Sequence, residues 1–101
     1  MGDRATLHEA LCRALGSRNV YYQPPASVVM HYPAIVYSRS DIGNRFADDT
    51  VYAQSHSYDV TVIDSDPDSD VVARVSLLPM CRFQRHFEAD NLNHDVFVLY
   101  Y

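Results

Sequence analysis

The sequence contains no lysine and no tryptophan, and it has three glycines and two cysteines. Eight arginines therefore carry all of its basic charge against thirteen Asp and Glu residues, which gives a net charge of −5. An acidic chain is a poor candidate for gripping nucleic acid or an anionic membrane surface, because both require cationic groups facing phosphate. The glycines stand apart from one another, so the sequence contains no glycine-rich loop that would cradle a phosphate.

The cysteines and the apolar runs also restrict the choice. Cys12 and Cys81 lie far apart and fit no metal or redox motif. The N-terminus lacks the charged and then apolar pattern of a signal peptide, and no apolar run approaches the ~20 residues of a membrane-spanning helix. We therefore predict a soluble protein made in the cytoplasm with reduced thiols. A length of 101 residues fits a single domain, residues 1–101.

The residues that are abundant favour a sheet. Valine and tyrosine are common, and both are enriched in strands. An apolar stripe at helical spacing, from Leu7 to Leu15, predicts a first helix that Gly16 ends. The sequence patterns predict a short extended piece at "NVYYQPP", a strand over residues 34–38, a long strand at "TVYAQSHSYDVTVID" and two further strands at "MCRFQRHFE" and "VFVLYY". The predicted fold is α+β, in the order α-β-β-β-α-β-β, with a mixed, mostly antiparallel sheet of four to five strands packed against two helices.

The segment "DSDPDSD", residues 64–70, has aspartates at alternate positions, as a calcium loop has. An EF-hand loop also needs a glycine at its sixth position and a glutamate at its twelfth. Counted from Asp64 these positions hold Ser69 and Val75, and the frame from Asp66 fails as well. We interpret the segment instead as a helix start, with Asp66 as N-cap and Pro67 at the first helical position.

Catalytic motifs are missing from the sequence. The five histidines do not stand at a spacing typical of metal ligands, and no nucleophile elbow is present. His86, Asp90 and His94 could converge around a turn, which leaves a small metal-dependent hydrolase as an alternative function. The competing interpretation is a polar hairpin tip with solvated side chains. We predict no catalytic residue, no metal site and no cofactor.

The segment "SRSDIGNRFADD" is polar and predicts a hairpin or long loop near residues 41–50. Arginine and aromatic residues are enriched in protein interfaces. The segment is therefore either an interface or an ordinary mobile loop. The candidate interface residues are Arg39, Asp41, Asn44, Arg45 and Phe46.

Three stretches together carry a resemblance to a known family: "LHEALCRALGSRNVYYQPPASVVMHYPAIVYSRSDIGNRFADDTVY", "SYDVTVIDSDPDSDVVARVSLLPMCRFQRHF" and "ADNLNHDVFVLYY". Over nearly its whole length the chain resembles the small tail terminator, or tail completion, proteins of long-tailed bacteriophages and prophages. Such proteins are also described as head–tail joining or minor capsid proteins.

The resemblance implies a structural role without catalysis. It implies a ring, commonly of six subunits, at the head-proximal end of the tail tube, where the ring ends tube polymerisation and offers a surface to the head. The implied partners are other copies of the chain, the major tail tube protein and the head–tail connector or stopper protein. The implied location is the virion tail or neck, after assembly in the host cytoplasm.

Ring formation adds one hypothesis about charge. DNA would pass through the lumen without specific binding if the wall were acidic, because like charges repel. The candidate lumen residues are Asp48, Asp49, Asp64, Asp68 and Asp70. Two further functions remain open at this point. One is another head–tail connector, neck or minor capsid component, and the other is an adaptor that binds a peptide along an exposed strand edge.

Overall fold

The computed structural model describes the backbone of residues 4–47 and 50–101, and the side chains of residues 4–40 and 56–101. Two helices and five strands follow one another along the chain. They are α1 (Arg4–Leu15), β1 (Val20–Tyr22), β2 (Ala34–Ala47), β3 (Thr50–Asp64), α2 (Asp70–Ser76), β4 (Cys81–Ala89) and β5 (Leu92–Tyr100). The predicted fold class and element order are confirmed: the chain is an α+β single domain.

The strands form one mixed sheet in the order β1-β2-β3-β5-β4. β1 runs parallel to β2, and all other neighbouring strands are antiparallel. β5 lies inside the sheet, between β3 and β4, whereas β4 forms one edge. The β4–β5 hairpin turns through Asp90 and Asn91, whose φ angles of 54° and 62° are typical of a tight two-residue turn.

Both helices cover the same face of the sheet. Leu7 and Leu11 of α1 and Val75 of α2 are fully buried against the strands. The strand residues of this core alternate along each strand, as one buried face requires; they are Ile35, Tyr37, Tyr58, Val60, Val62, Phe97 and Leu99. The opposite face carries no helix among the described residues, and we call it the open face.

The end of α1 and the start of α2 show which sequence signals set the helix boundaries. Gly16 adopts φ +83° just after α1, and its N–H donates to the Cys12 carbonyl at 2.8 Å, as predicted for a glycine that ends a helix. The predicted start of α2 was wrong by one turn. Ser69 is the N-cap, because its hydroxyl accepts from the Val71 N–H, whereas the Asp66 carboxylate accepts from the Asp68 N–H within the preceding turn.

The β2–β3 hairpin is the longest feature of the fold. Its ladder continues from Ala34↔Ile63 to Ala47↔Thr50, so the hairpin alternative is confirmed for the described part of residues 41–50, as is the long strand predicted over residues 50–64. β1 pairs with β2 only at residues 35–37, and β5 reaches β3 only as far as Ser57. Residues 42–47 and 50–55, which we call the arm, therefore pair only with each other among the described strands, apart from Ile42 at the base, which pairs with His56.

Candidate functional site

The arm projects from the rest of the sheet as a two-stranded ribbon. Six residues of strand span about 20 Å at the usual rise of roughly 3.3 Å per residue, and the molecule measures 51 × 28 × 23 Å. A two-stranded ribbon in water is marginally stable at best, because it has no third strand and no helix to cover its faces. The arm is therefore the part of the chain that gains most from a partner.

The candidate interface residues lie along this ribbon or at its base. Arg39 is exposed at the base, and its N–H donates to the Gln23 Oε1 at 3.3 Å. The register of the ladder shifts between Arg39 and Asp41, and the resulting irregularity marks where the arm leaves the sheet. Asn44, Arg45 and Phe46 belong to the β2 side of the arm, and their side chains, like that of Asp41, lie outside the described residues.

The opposite end of the sheet is acidic. Asp64 ends β3, pairs with Asn93, and through it lies in the same row as Glu88. This acidic end comprises the carboxylates of the 64–70 segment together with those of the β4–β5 hairpin: Asp64, Asp66, Asp68, Asp70, Glu88 and Asp90. The described ion pairs, Arg18–Glu9 and His86–Asp95, involve none of them. These carboxylates therefore present an uncompensated negative charge to solvent.

The candidate lumen residues do not all belong to this end. Asp64, Asp68 and Asp70 do, whereas Asp48 and Asp49 lie outside the described residues. Ala47 and Thr50, which flank that pair in sequence, are paired at the far end of the hairpin from Asp64.

The carboxylates of the 64–70 segment bond to their own backbone. Asp64 Oδ1 accepts from the Asp66 N–H at 3.1 Å, and Asp66 Oδ1 accepts from the Asp68 N–H at 2.9 Å. Such local bonds are characteristic of turns that start with Asp or Asn. Within the described part of the chain, no group of three His, Cys, Asp or Glu side chains is placed to hold a metal ion.

The structure does not bring together His86, Asp90 and His94. His86 pairs across the hairpin with Asp95, and His94 pairs with Phe87, so the two histidines point to opposite faces. The His86 Nδ1 lies 2.7 Å from the Asp95 Oδ1. The His94 ring stacks on Phe87 with centroids 4.6 Å apart. Asp90 lies in the turn. The hydrolase alternative therefore loses the convergence on which it depended.

Shifted pKa values occur in the surface ion pair and in or beside the core. Hydrogen bonds with the Arg18 guanidinium lower the pKa of Glu9, and the same pair raises the pKa of Arg18. Burial raises the pKa of Tyr37, which is fully buried and shares a 2.8 Å hydrogen bond between its hydroxyl and the His8 Nδ1. Burial also raises the pKa of the Cys81 thiol, which makes the reactive thiolate scarcer at neutral pH. The sequence did not predict the His8–Tyr37 pair, because the two residues are 29 positions apart.

Comparison with known proteins gives no matching family model and no matching curated protein. Among the described residues, no helix has both the length and the apolar character needed to cross a membrane. The site therefore has to be interpreted from its geometry, which offers a projecting arm at one end of the sheet and an acidic surface at the other.

Proposed function

We propose that this chain is a structural protein of phage assembly that forms a ring at the head-proximal end of the tail tube. The ring ends tube polymerisation and provides the surface on which the head joins the tail. Its partners are other copies of the chain, the major tail tube protein and the head–tail connector or stopper protein. A six-subunit ring follows from the family resemblance in the sequence, as does a location in the tail or neck of the virion.

The observation that carries this proposal is the arm. A ring closes through a heterologous interface, so each subunit must present two different surfaces that fit each other. A ribbon of about 20 Å that lacks any third strand is suited to reach a neighbouring subunit or the tube. The exposed Arg39 at its base has the side-chain type that is enriched at interfaces.

The acidic end supports the same assignment in a second way. A protein that joins head to tail meets two different partners, and the two ends of this sheet differ, since one continues as the arm and the other carries the described carboxylates. A row of uncompensated carboxylates repels the phosphates of passing DNA and favours transit over binding. The DNA would then move through the ring without a specific contact.

Two roles in phage assembly have to be compared, a tail terminator and another component of the head–tail connection. A stopper or a minor capsid component would use the same small α+β domain, and it is the second candidate. The arm favours a terminator, because a subunit that caps a tube has to contact both its neighbours and the last ring of tube protein. No described group of side chains favours a hydrolase.

The experiment that tests the proposal compares the intact chain with a variant that lacks the arm. In that variant, Asn-Gly replaces residues 43–55, which leaves the Ile42↔His56 pair next to a tight turn. Each protein is mixed with tubes assembled from the major tail protein, and tube ends and lengths are measured by negative-stain microscopy. Light scattering reports the oligomeric state of each protein alone.

We expect the intact chain to form rings that cap one end of each tube and stop its growth, and the armless variant to remain folded without capping. Asn91→Gly is the matched control, because it alters the other tight hairpin at a position with φ 62° and leaves the arm intact. Tubes that ignore the intact chain would refute the proposal. An armless variant that still caps would remove the arm from the explanation.

A further inference from the structure

A second surface, the outer edge of β4, has no part in the function proposed above. β4 is the edge strand of the sheet and pairs only with β5 among the described strands. It is nine residues long, and every residue from Arg82 to Ala89 is exposed. The opposite edge strand, β1, has three residues. Proteins usually protect edge strands by keeping them short or by placing proline, charged side chains or bulges on them. β4 is long and has no proline, so its charged side chains and one bulge decide what can pair with it.

A β-bulge decides which side chains of β4 share a face. Phe83 pairs with Phe97 and Arg85 pairs with Val96, so Gln84 is an additional residue in β4. Because of this insertion, Arg82, Arg85 and Phe87 all lie on the open face, whereas an uninterrupted strand would place Arg82 on the face opposite to Arg85 and Phe87. On β5 their partners are Val98, Val96 and His94.

Three of these side chains, Arg85, Phe87 and His94, are ordered by contacts with one another. The Arg85 guanidinium lies 5.2 Å from the centroid of the Phe87 ring, and the Phe87 ring stacks on His94 at an interplanar angle of 11°. Stacking holds the cation close to an aromatic surface without neutralising its charge. A ligand that binds Arg85 therefore meets a side chain that has already lost part of its rotamer freedom.

The charge of the two arginines is unsatisfied within the described chain. The described ion pairs are Arg18–Glu9 and His86–Asp95, and neither includes Arg82 or Arg85. Arginine pairs with carboxylates through its planar fork and is the usual residue for such pairs at interfaces. A protein of net charge −5 thus keeps two free guanidinium groups beside an open strand edge.

We propose that the outer edge of β4 binds an extended acidic segment of another protein as a sixth strand of the sheet. The backbone of the segment pairs with β4, and its carboxylates pair with Arg82 and Arg85 on the open face. On β5, the residues opposite these arginines are two positions apart, at Val98 and Val96. A regular strand on the other side of β4 would meet the same spacing, so the segment carries acidic residues at positions i and i+2.

The segment comes from another protein because this chain does not supply it in strand form. None of the five strands carries two acidic residues two positions apart, as their sequences show. The alternating aspartates of residues 64–70 are folded into turns through their own backbone bonds. Pro67 also deprives that segment of one backbone N–H.

The test uses synthetic nine-residue peptides of threonine and valine that contain two glutamates spaced one, two or three positions apart. Fluorescence anisotropy measures the affinity of each peptide for the intact protein, and NMR maps the backbone amides that shift. We expect the two-position spacing to bind roughly tenfold more tightly than the other spacings, since it alone reaches both arginines. The amides that shift should be those of β4.

Three controls separate the two kinds of contact. Replacing the glutamates by lysine should abolish binding, and N-methylation along the bonded edge of the peptide should do the same. The double variant Arg82→Gln and Arg85→Gln should lose roughly tenfold in affinity. Arg13→Gln removes one exposed arginine from α1 and should change nothing. Thermal unfolding establishes that each variant is folded.

The results that overturn the proposal are equally specific. Equal affinity for the glutamate and lysine peptides would show that charge does not select the ligand. Shifts outside β4, or no binding by any peptide at millimolar concentration, would remove the site. Tight binding of a peptide with the sequence of residues 64–70 would identify a second copy of this chain as the occupant. None of these outcomes depends on whether the chain caps a tail tube.

Discussion

The two halves of the β2–β3 hairpin share one ladder, yet they are held in different ways. In the first half, Ile35 and Tyr37 lie opposite Val62 and Val60, and all four side chains are fully buried beneath the helices. β1 and β5 flank this half on both sides. The arm continues the same ladder without either neighbour. Hydrogen bonding is therefore common to both halves, whereas flanking strands on both sides belong to the first half alone among the described strands.

This difference separates the half of the hairpin that stabilises the domain from the half that is available for binding. Burial of apolar side chains is the main favourable contribution to folding, whereas an exposed backbone hydrogen bond adds little. The buried half of the hairpin, together with the helices, accounts for the stability of the domain. The arm is free of that constraint, so its sequence can be selected for binding. The predictions below test this division, beginning with the largest expected effect.

Leu11→Ala should cause the largest loss of stability. Leu11 is fully buried between α1 and the sheet, and truncation of a buried leucine typically costs about 3 kcal/mol through lost burial and the cavity left behind. Leu77→Ala is the matched control, because Leu77 is 82% exposed. Urea unfolding followed by circular dichroism measures both changes. Equal losses at the two positions would contradict the assignment of the core.

Tyr37→Phe should have a smaller effect, of about 1.5 kcal/mol, because it removes the hydroxyl that bonds to His8 inside the core. Tyr32→Phe, at a tyrosine that is 43% exposed, is the control.

The raised pKa of Tyr37 adds a pH dependence. A folded pKa above the unfolded value gives stability that is complete below pH ~10, the usual range of tyrosine. That stability is lost as the pH rises through the folded pKa. Unfolding curves should therefore show a smaller difference in unfolding free energy between the unmodified protein and Tyr37→Phe at alkaline pH than at neutral pH. A difference that grows with pH would count against burial as the cause of the raised pKa.

Ser69→Ala should cost about 1 kcal/mol, since it removes the hydroxyl that accepts from the Val71 N–H at the start of α2. Ser65→Ala, at an exposed serine of the same segment, controls for the change in composition. Thermal unfolding is sufficient to compare them. If Asp66→Ala instead showed the larger loss, the N-cap would lie at the position that the sequence alone indicated.

Replacement of residues 43–55 by Asn-Gly should have the smallest effect, below about 0.5 kcal/mol, because no third described strand pairs with the arm and a tight turn closes a shorter loop. Hydrogen exchange should show the complementary result in the intact chain. Amides of the arm should exchange much faster than those at Val60 and Val62, which open only when the domain unfolds. Strong protection of the arm amides from exchange in the isolated protein would contradict the proposed difference in stability between the two halves of the hairpin.

The sequence predicted the elements that have a local signature. The stripe from Leu7 to Leu15 and the glycine after it gave α1, and alternation gave the buried half of β3. The start of α2 was missed because two capping signals competed within a few residues. Asp66 precedes Pro67, as an N-cap residue often precedes a proline at the first helical position. Its carboxylate nevertheless accepts a hydrogen bond within the preceding turn, and Ser69 caps the helix.

The arrangement of side chains that are distant in sequence was harder to predict. The opposite orientation of His86 and His94 follows from the register of the β4–β5 hairpin, which the tight turn at Asp90 and Asn91 sets. The bulge at Gln84 has no simple sequence signal, and it determines which residues share the open face. The sequence did not predict that β2 continues beyond Ser40, because that segment is polar and lacks the apolar alternation typical of a strand.

The position of β5 in the sheet has a kinetic consequence. β4 precedes β5 in the chain, yet it has no neighbour in the sheet until β5 is in place. β3 can pair with β5 only after the chain between Asp64 and Leu92 has closed into a loop that contains α2 and β4. Closing that loop costs conformational entropy before the β3–β5 contacts contribute any stabilisation. We therefore expect the docking of β5 on β3 to set the pace of folding, after the β2–β3 and β4–β5 hairpins have formed from residues that are close in sequence.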